Sequence, residues 1–192
     1  TTGYTAQNFL DAAAAFDRDY PEVFWLGSPG ISNGSFTSTT NSPWGSSRTI
    51  AADCKTVSDA IQSLVTSTEA ISSRYLKLKF VHDWLVNNNS YNHDAAGKGD
   101  AATDKTPWEA ISAFDRNLSP VCEGYARAFK LVCDALNIPC VLVSGLTTPG
   151  QENTAHMWNY VQMDDSLWYL VDVTWDDPDG DTDILSYRYF LV

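Results

Sequence analysis

The feature that most constrains the fold is a helical pattern of apolar residues near the middle of the chain. Between residues 125 and 136, large apolar side chains recur at intervals of three and four. The apolar positions are Tyr125, Phe129, Val132, Cys133 and Leu136. Ser119 is a suitable N-cap, Pro120 suits the first helical position, and residues 137–139 predict the end. We therefore expect a buried helix around which the chain is organised.

Cys122 falls in the first turn of this predicted helix. It would lie among backbone N–H groups without intrahelical acceptors, at the positive end of the helix dipole. Such an environment lowers the pKa of a thiol, and the same amides can hold an oxyanion. Glu123 opposes this effect, because a neighbouring carboxylate raises the pKa of a thiol unless it points away or is paired. Cys122 is thus a candidate nucleophile.

Length and charge limit the class of protein. A chain of 192 residues, 44% of them hydrophobic, suits one domain with a substantial core, or one domain with an N-terminal extension. Twelve basic and 24 acidic residues give a net charge of −12. This charge disfavours nucleic acids and anionic membranes, and it favours cationic peptides or amine-bearing substrates. No apolar run is long enough to span a bilayer, so no membrane insertion is expected.

The other cysteines and the histidines outside the hairpin are interpreted as structural. Cysteines at 54, 122, 133 and 140 are too few and too unevenly spaced for a disulfide framework, and no CxxC pair predicts zinc. Cys133 and Cys140 are expected to be buried, inert thiols, and a pairing of Cys54 with either stays open. His82 and His93 lack metal-ligand spacing and are expected to be packing or surface residues.

The remaining patterns predict an α+β fold. Helices are expected over residues 6–20, 57–65 and 71–85, and a strand over 140–144. Residues 27–47 predict a loop with one weak hairpin, and residues 93–105 a mobile surface loop. Thr106-Pro107-Trp108-Glu109 has the pattern of a capping box, which predicts a short helix through Phe114. N-terminal helices over 1–70 would pack on a catalytic domain over 71–192, in which the central helix lies on an antiparallel sheet.

A hairpin after residue 154 supplies partners for Cys122. Residues 155–163 and 167–174 predict two strands joined by the three-residue turn 164–166. An odd turn places His156 and Asp172 on one face, with His156 opposite Thr174 and Asp172 diagonally across. His156 can then take the proton of Cys122, and Asp172 can orient the imidazole.

Three segments carry a resemblance to a known family. In chain order they are Val121-Cys122-Glu123-Gly124-Tyr125-Ala126, His156-Met157-Trp158-Asn159-Tyr160-Val161 and Val171-Asp172-Val173-Thr174-Trp175-Asp176-Asp177-Pro178. Together they resemble the bacterial transglutaminase-like family, which has a papain-like core. The resemblance implies Cys122 as nucleophile, His156 as general base and acid, and Asp172 as the orienting residue.

The resemblance also implies a reaction. A thiolate attacks an amide carbonyl, and the resulting thioester passes to water or to a lysine amine, so that peptidase, amidase and crosslinking activities stay open. We expect peptide or protein substrates, such as lysine-containing or cell-wall peptides, and a secreted or cell-surface location. An adhesion or binding module that kept the fold without turnover is the alternative, although it has no chemical need for all three residues.

Supporting residues and a metal are further expectations. The family places an upstream aromatic or polar side chain beside the oxyanion, for which Tyr91 is preferred over Trp84 and Trp108. Trp158 and Trp175 are expected to wall the cleft and bury the triad. No cofactor is expected, except that alternating aspartates resemble a calcium loop, although without the bidentate glutamate of the EF-hand. These are Asp177, Asp179, Asp181 and Asp183. An acidic solvated turn is the preferred interpretation.

Overall fold

The computed structural model describes residues 5–27, 29–33, 35–45, 48–146, 155–177 and 185–192. Within these residues, helices pack on a three-stranded antiparallel sheet, and a second sheet has two strands, which confirms the predicted α+β class. The α-helices are α1 (Ala6–Asp19), α2 (Ile50–Ser67), α3 (Arg74–Asn88), α4 (His93–Lys98), α5 (Ile111–Phe114), α6 (Cys122–Ala135) and α7 (Val173–Asp176). The strands are β1 (Gly30–Ser32), β2 (Ser35–Thr37), β3 (Cys140–Leu146), β4 (Ala155–Gln162) and β5 (Trp168–Val171). None of the described helices is both long and apolar enough to cross a membrane.

Helix α6 is the centre of the core, as its apolar pattern predicts. Every residue from Gly124 to Cys133 is buried. The helix packs against α2, α3 and α5, and it also packs on strands β3 and β4. Phe129 and Val132 are fully buried, and removing such a side chain from water stabilises the fold by about 1.5–3 kcal/mol. Helix α6 therefore holds Cys122 on a rigid support.

The predicted start of this helix is wrong. Helix α6 begins at Cys122, with Val121 in the N-cap position. The residues before it are bonded to two distant segments instead. Asn92 donates hydrogen bonds to the carbonyl oxygens of Ser119 and Pro120, and the N–H of Val121 donates to the carbonyl oxygen of Pro107. These contacts keep residues 119–121 out of the helix, so that Cys122 occupies the first helical position.

The hairpin has the predicted register. Strand β4 lies between β3 and β5, and Asn159 pairs with Leu142 and Val171. The turn is closed by a hydrogen bond from the N–H of Met163 to the carbonyl oxygen of Leu167, 2.9 Å long. Ser166 adopts a positive φ of 65°, as three-residue hairpin turns require.

Strand β5 is shorter than predicted. It ends at Val171, and residues 173–176 form α7, so Thr174 does not pair with His156 in the sheet. The side chain of Asp172 accepts a hydrogen bond from the N–H of Trp175 and thereby caps α7. The chain therefore enters α7, which Asp172 caps, instead of continuing as a strand.

Two further predictions upstream of the cysteine are wrong. The expected mobile loop over residues 93–105 contains α4 and a 3-10 helix, Gly99–Ala101, and Asn92 caps α4. The expected capping-box helix is split into a 3-10 helix, Thr106–Trp108, and α5. Glu109 has extended backbone between them, and its carboxylate accepts a hydrogen bond from Asn41 rather than folding back on the helix start.

The N-terminal region is attached in two ways. Helix α1 has no buried residue and is held by polar contacts: Arg18 donates to Ser144 on β3, and Asp17 pairs with Arg127 on α6. After α1, Phe24 is buried against Trp44, and β1 and β2 form the weak hairpin that the sequence predicts. The division of the chain at residue 70 stays a prediction.

Candidate active site

Cys122, His156 and Asp172 meet at the N-terminus of α6. The Nε2 atom of His156 lies 2.6 Å from Oδ2 of Asp172, and both residues are buried. The half-buried thiol of Cys122 also interacts with the imidazole and supports its charged form. An imidazole between a thiol and a carboxylate is the arrangement that activates a cysteine nucleophile.

The imidazole of His156 is held in its charged form. Burial lowers its pKa, but the hydrogen bonds and charges of Asp172 and Cys122 outweigh burial and raise the pKa of His156 to about 9. At neutral pH the ring is therefore an imidazolium beside the sulfur of Cys122.

Asp172 is fixed through both carboxylate oxygens. Oδ2 faces His156, and Oδ1 accepts a hydrogen bond of 3.1 Å from the N–H of Trp175. Its own N–H donates to the carbonyl oxygen of Tyr189, in a segment that runs beside β5. The carboxylate consequently has a single orientation, although it lies beyond the end of the strand.

Two indole rings cover the imidazole. The ring of Trp175 is stacked on His156 at 4.7 Å between centroids with an interplanar angle of 11°, and Trp158 is stacked at 5.9 Å and 25°. Gly145 pairs with His156 across the sheet, and a β-carbon there would lie 2.7 Å from Cη2 of Trp158. Both tryptophans thus contact the imidazole, and their role as walls of a cleft stays a prediction.

The first turn of α6 offers backbone donors beside the thiol. The hydrogen bond from the N–H of Tyr125 to the carbonyl oxygen of Val121 opens the helical ladder, so the amides of Cys122, Glu123 and Gly124 precede it. Such amides suit a developing oxyanion. A β-carbon at Gly124 would lie 2.7 Å from the carbonyl oxygen of Pro107, so this glycine permits the close approach of the neighbouring segment.

The carboxylate of Glu123, which follows Cys122 in sequence, is paired with Arg127. Arg127, one turn further along α6, donates two hydrogen bonds to Oε1 of Glu123, 3.0 and 2.6 Å long. The buried guanidinium also pairs with Asp17 at 2.5 Å and lies 3.8 Å from Oε2 of Glu109. The condition that the sequence sets for a reactive Cys122, a paired Glu123, is therefore met.

The upstream candidates lie at different places. Tyr91 precedes Asn92, which is bonded to Ser119 and Pro120, and Trp108 follows Pro107, which is bonded to Val121; both segments thus border the start of α6. Trp84 packs against Phe114 at 6.3 Å between ring centroids, and both Trp84 and Tyr91 pack against the hydrophobic core cluster. Tyr91 and Trp108 differ from Trp84 in that each adjoins a residue bonded to the chain that leads into Cys122.

The sequence did not predict two contacts around α7. His82, expected to be a packing or surface residue, is fully buried, and its two ring nitrogens face carboxylate oxygens of Asp83 and Asp176 at 3.1 and 3.2 Å. Tyr125 donates its hydroxyl hydrogen bond to Oδ2 of Asp177. The Asp176-Asp177 pair was the available signal, but its place in an acidic run pointed to a solvated turn.

The remaining predicted residues are the aspartates of the calcium candidate and the cysteines other than Cys122. Asp177 is bonded to Tyr125, and Asp179, Asp181 and Asp183 lie outside the described residues. Over the ranges that the structure describes, no group of three or more His, Cys, Asp and Glu residues is placed to hold a metal ion. Cys133 and Cys140 are buried free thiols, and burial raises the pKa of Cys133 well above its ordinary value.

Comparisons with known proteins find one matching family model and two similar solved structures. The model of the transglutaminase-like superfamily matches residues 59–173. No curated protein matches the chain. Among solved structures, the chain is similar to a protein described as a TGase, with 16% identity and a TM-score of 0.53 over 98% of this chain and 53% of the other. It also matches "a putative cysteine protease from Cytophaga hutchinsonii", with 17% identity and a TM-score of 0.46 over 70% of this chain and 45% of the other. The chain therefore spans about half the length of these two proteins.

Proposed function

The chain belongs to the transglutaminase-like superfamily, and we propose that it is a cysteine-dependent acyl-transfer enzyme that acts on peptide or amide bonds. The observation that supports this most directly is the imidazole of His156, which interacts with the thiol of Cys122 and lies 2.6 Å from the carboxylate of Asp172. Cys122 is the nucleophile, His156 the general acid and base, and Asp172 the orienting residue.

Acylation follows from this arrangement. The sulfur of Cys122 attacks the carbonyl carbon of the substrate amide, and the amides at the start of α6 stabilise the oxyanion. The imidazolium of His156 gives its proton to the leaving nitrogen as the carbon–nitrogen bond breaks. The products are a free amine and a thioester on Cys122, with His156 now neutral.

Deacylation returns the site to its starting state. Neutral His156 takes a proton from the acceptor, which is water or a primary amine, as the acceptor attacks the thioester carbonyl. The carbon–sulfur bond breaks, and sulfur leaves beside the re-formed imidazolium. With water the product is a carboxylic acid, and with a lysine amine it is an isopeptide crosslink.

The substrate and location are parts of the same proposal. A net charge of −12 favours cationic peptides, including lysine-containing ones, over nucleic acids. Hydrolysis or transfer within cell-surface or cell-wall peptides, by a secreted or surface-located enzyme, is the form we propose, with no cofactor required by the acyl-transfer steps.

Incubation of the protein with a peptide library, with and without a fluorescent primary amine, tests the proposal. Cleavage without amine incorporation identifies water as the acceptor, and incorporation identifies the amine. Intact mass should show a transient acyl adduct that is lost in Cys122→Ala and retained in Cys54→Ala, a matched control that removes a thiol outside the site. Turnover that is unchanged in Cys122→Ala contradicts the proposal, and absence of both turnover and adduct favours the adhesion module.

A further inference from the structure

Helix α7 places two groups in contact with His156. Asp172 at its N-terminus faces Nε2, and Trp175 within it is stacked on the imidazole ring. The helix has only four residues, Val173–Asp176. A single helical turn is not stable on its own, so its position is set by the contacts that it makes with the rest of the molecule.

One side of α7 is attached to α3 through Asp176. This residue is fully buried, and Oδ2 lies 3.2 Å from Nε2 of His82. Oδ1 accepts hydrogen bonds of 2.9 Å from the hydroxyl of Ser186 and 3.1 Å from the N–H of Tyr189. A buried carboxylate with several directional partners fixes the orientation of its helix more narrowly than apolar packing does.

The other attachment leads to the helix of the nucleophile. The hydroxyl of Tyr125 donates to Asp177, which is the C-cap residue of α7. Tyr125 is fully buried and lies three positions after Cys122 in α6. The hydrogen bond from the Tyr125 hydroxyl to Asp177 therefore joins α6, which carries the thiol, to α7, whose N-cap is Asp172. Asp172 in turn contacts His156.

We propose that Tyr125 is a positioning residue for the acyl-transfer reaction, acting through Asp177 to hold α7, and with it Asp172 and Trp175, against His156. This inference rests on the proposed function of Cys122. Tyr125 is buried beneath the site rather than exposed to substrate, so its effect falls on the geometry of the triad and not on substrate binding.

Tyr125→Phe tests this role, because it removes one oxygen atom and keeps the buried ring. We expect alkylation of Cys122 by iodoacetamide at pH 7, followed by peptide mass spectrometry, to slow roughly tenfold, as for loss of a hydrogen bond to a charged group. Turnover should fall through kcat with KM unchanged. The NMR titration midpoint of the His156 ring should move to lower pH, since Asp172 is held less closely.

Tyr169→Phe is the matched control. Tyr169 donates a hydrogen bond of 2.6 Å to Asp165 in the exposed turn of the hairpin, so this variant loses the same kind of contact outside α6 and α7. It should leave alkylation, kcat and the His156 titration unchanged. Asp177→Asn keeps an acceptor oxygen for Tyr125 and should retain most of the alkylation rate.

The outcomes separate this inference from the function on which it rests. If Tyr125→Phe and Tyr169→Phe behave alike in alkylation, kcat and titration while Cys122→Ala is inactive, Tyr125 has no positioning role. If Tyr125→Phe lowers the melting temperature but leaves the titration midpoint of His156 in place, its role is structural and the inference is overturned. If Cys122→Ala retains turnover, the proposed function itself fails.

Discussion

The Nε2 atom of His156 and Oδ2 of Asp172 lie 2.6 Å apart, although the strand that leads to Asp172 ends at the preceding residue. The sheet register brings the two chains together, and the capping of α7 by Asp172 sets the final orientation of the carboxylate. The relation between imidazole and carboxylate thus depends on a helix terminus as much as on strand pairing.

Asp172→Asn should lower the pKa of His156. The pKa is about 9 because Asp172 and Cys122 outweigh burial, and an uncharged amide gives less support to the imidazolium. We expect the NMR titration midpoint of His156 to move from about 9 towards its ordinary value of 6.5. Asp83→Asn, which alters the surroundings of His82 instead, should leave that midpoint in place.

The same pair makes stability depend on pH. Because the pKa of His156 is raised from 6.5 to about 9 on folding, its stabilising contribution is complete below pH 6.5 and is lost as the pH rises through 9. The contribution is at most about 3 kcal/mol by the conversion of a pKa shift to free energy. Denaturant unfolding at pH 6 and pH 9.5 should show a larger decrease for the wild type than for Asp172→Asn, and equal decreases would contradict the assignment.

Arg127→Lys should slow the reaction of Cys122. A lysine ammonium does not replace the planar guanidinium that holds Glu123 and Asp17 together, so the carboxylate of Glu123 is left less well neutralised beside the thiol. We expect alkylation at pH 7 to slow about threefold to tenfold, as for roughly 1 kcal/mol.

Adding Glu123→Gln to Arg127→Lys should restore the rate, because the neighbouring charge is then absent. Lys130→Arg is the control, since Lys130 pairs with Asp134 at the other end of α6. If Arg127→Lys leaves the alkylation rate at the wild-type value, Glu123 has no effect on the thiol.

Glu109→Gln should flatten the stability profile below pH 8. Burial raises the pKa of Glu109 from 4.5 to about 8, and the positive charge of Arg127 only partly opposes this. A carboxyl group whose pKa is raised by folding stabilises the fold at pH values below its pKa in the unfolded chain. This contribution is lost as the pH rises through 8. Melting temperatures between pH 4.5 and pH 6.5, below the range in which His156 changes its contribution, should therefore fall for the wild type and stay level for Glu109→Gln. Glu69→Gln, at an exposed position, should follow the wild type.

Gly145→Ala should impair turnover more than stability. The added methyl group would lie 2.7 Å from Cη2 and 3.2 Å from Cζ3 of Trp158, so the indole must move from its place beside His156. We expect kcat to fall about fivefold, as for loss of roughly 1 kcal/mol of aromatic contact. Gly97→Ala, where no atom lies within 4 Å of the added carbon, should leave kcat unchanged. A wild-type kcat in Gly145→Ala would show that the Trp158 stacking is dispensable.

The central helix and the hairpin register can be predicted from local sequence patterns. The central helix follows from the apolar spacing of Tyr125, Phe129 and Val132, which reports a buried face without reference to the rest of the chain. The hairpin register follows from alternation and from a three-residue turn, because a shift of one residue would reverse the face of His156. Both features depend on residues close together in sequence.

Contacts between segments distant in sequence leave no local sequence signal. Helix α6 begins at Cys122 because Asn92 and Pro107 bond to the residues before it, and neither bond has a local sequence signal. The ion pair between Arg127 and Asp17 joins residues that are 110 positions apart in sequence. Strand β5 ends early because Asp172 caps a helix, a choice that depends on how the following residues are attached to α3 and α6.

The order of these parts along the chain has a consequence for protein synthesis. The ribosome releases α6 and its thiol before the strand that carries His156, and residues 185–192, which run beside β5 and bond to Asp172, emerge later still. Since domains fold as their segments become available, the three groups of the proposed active site come together only after all of these segments have left the ribosome.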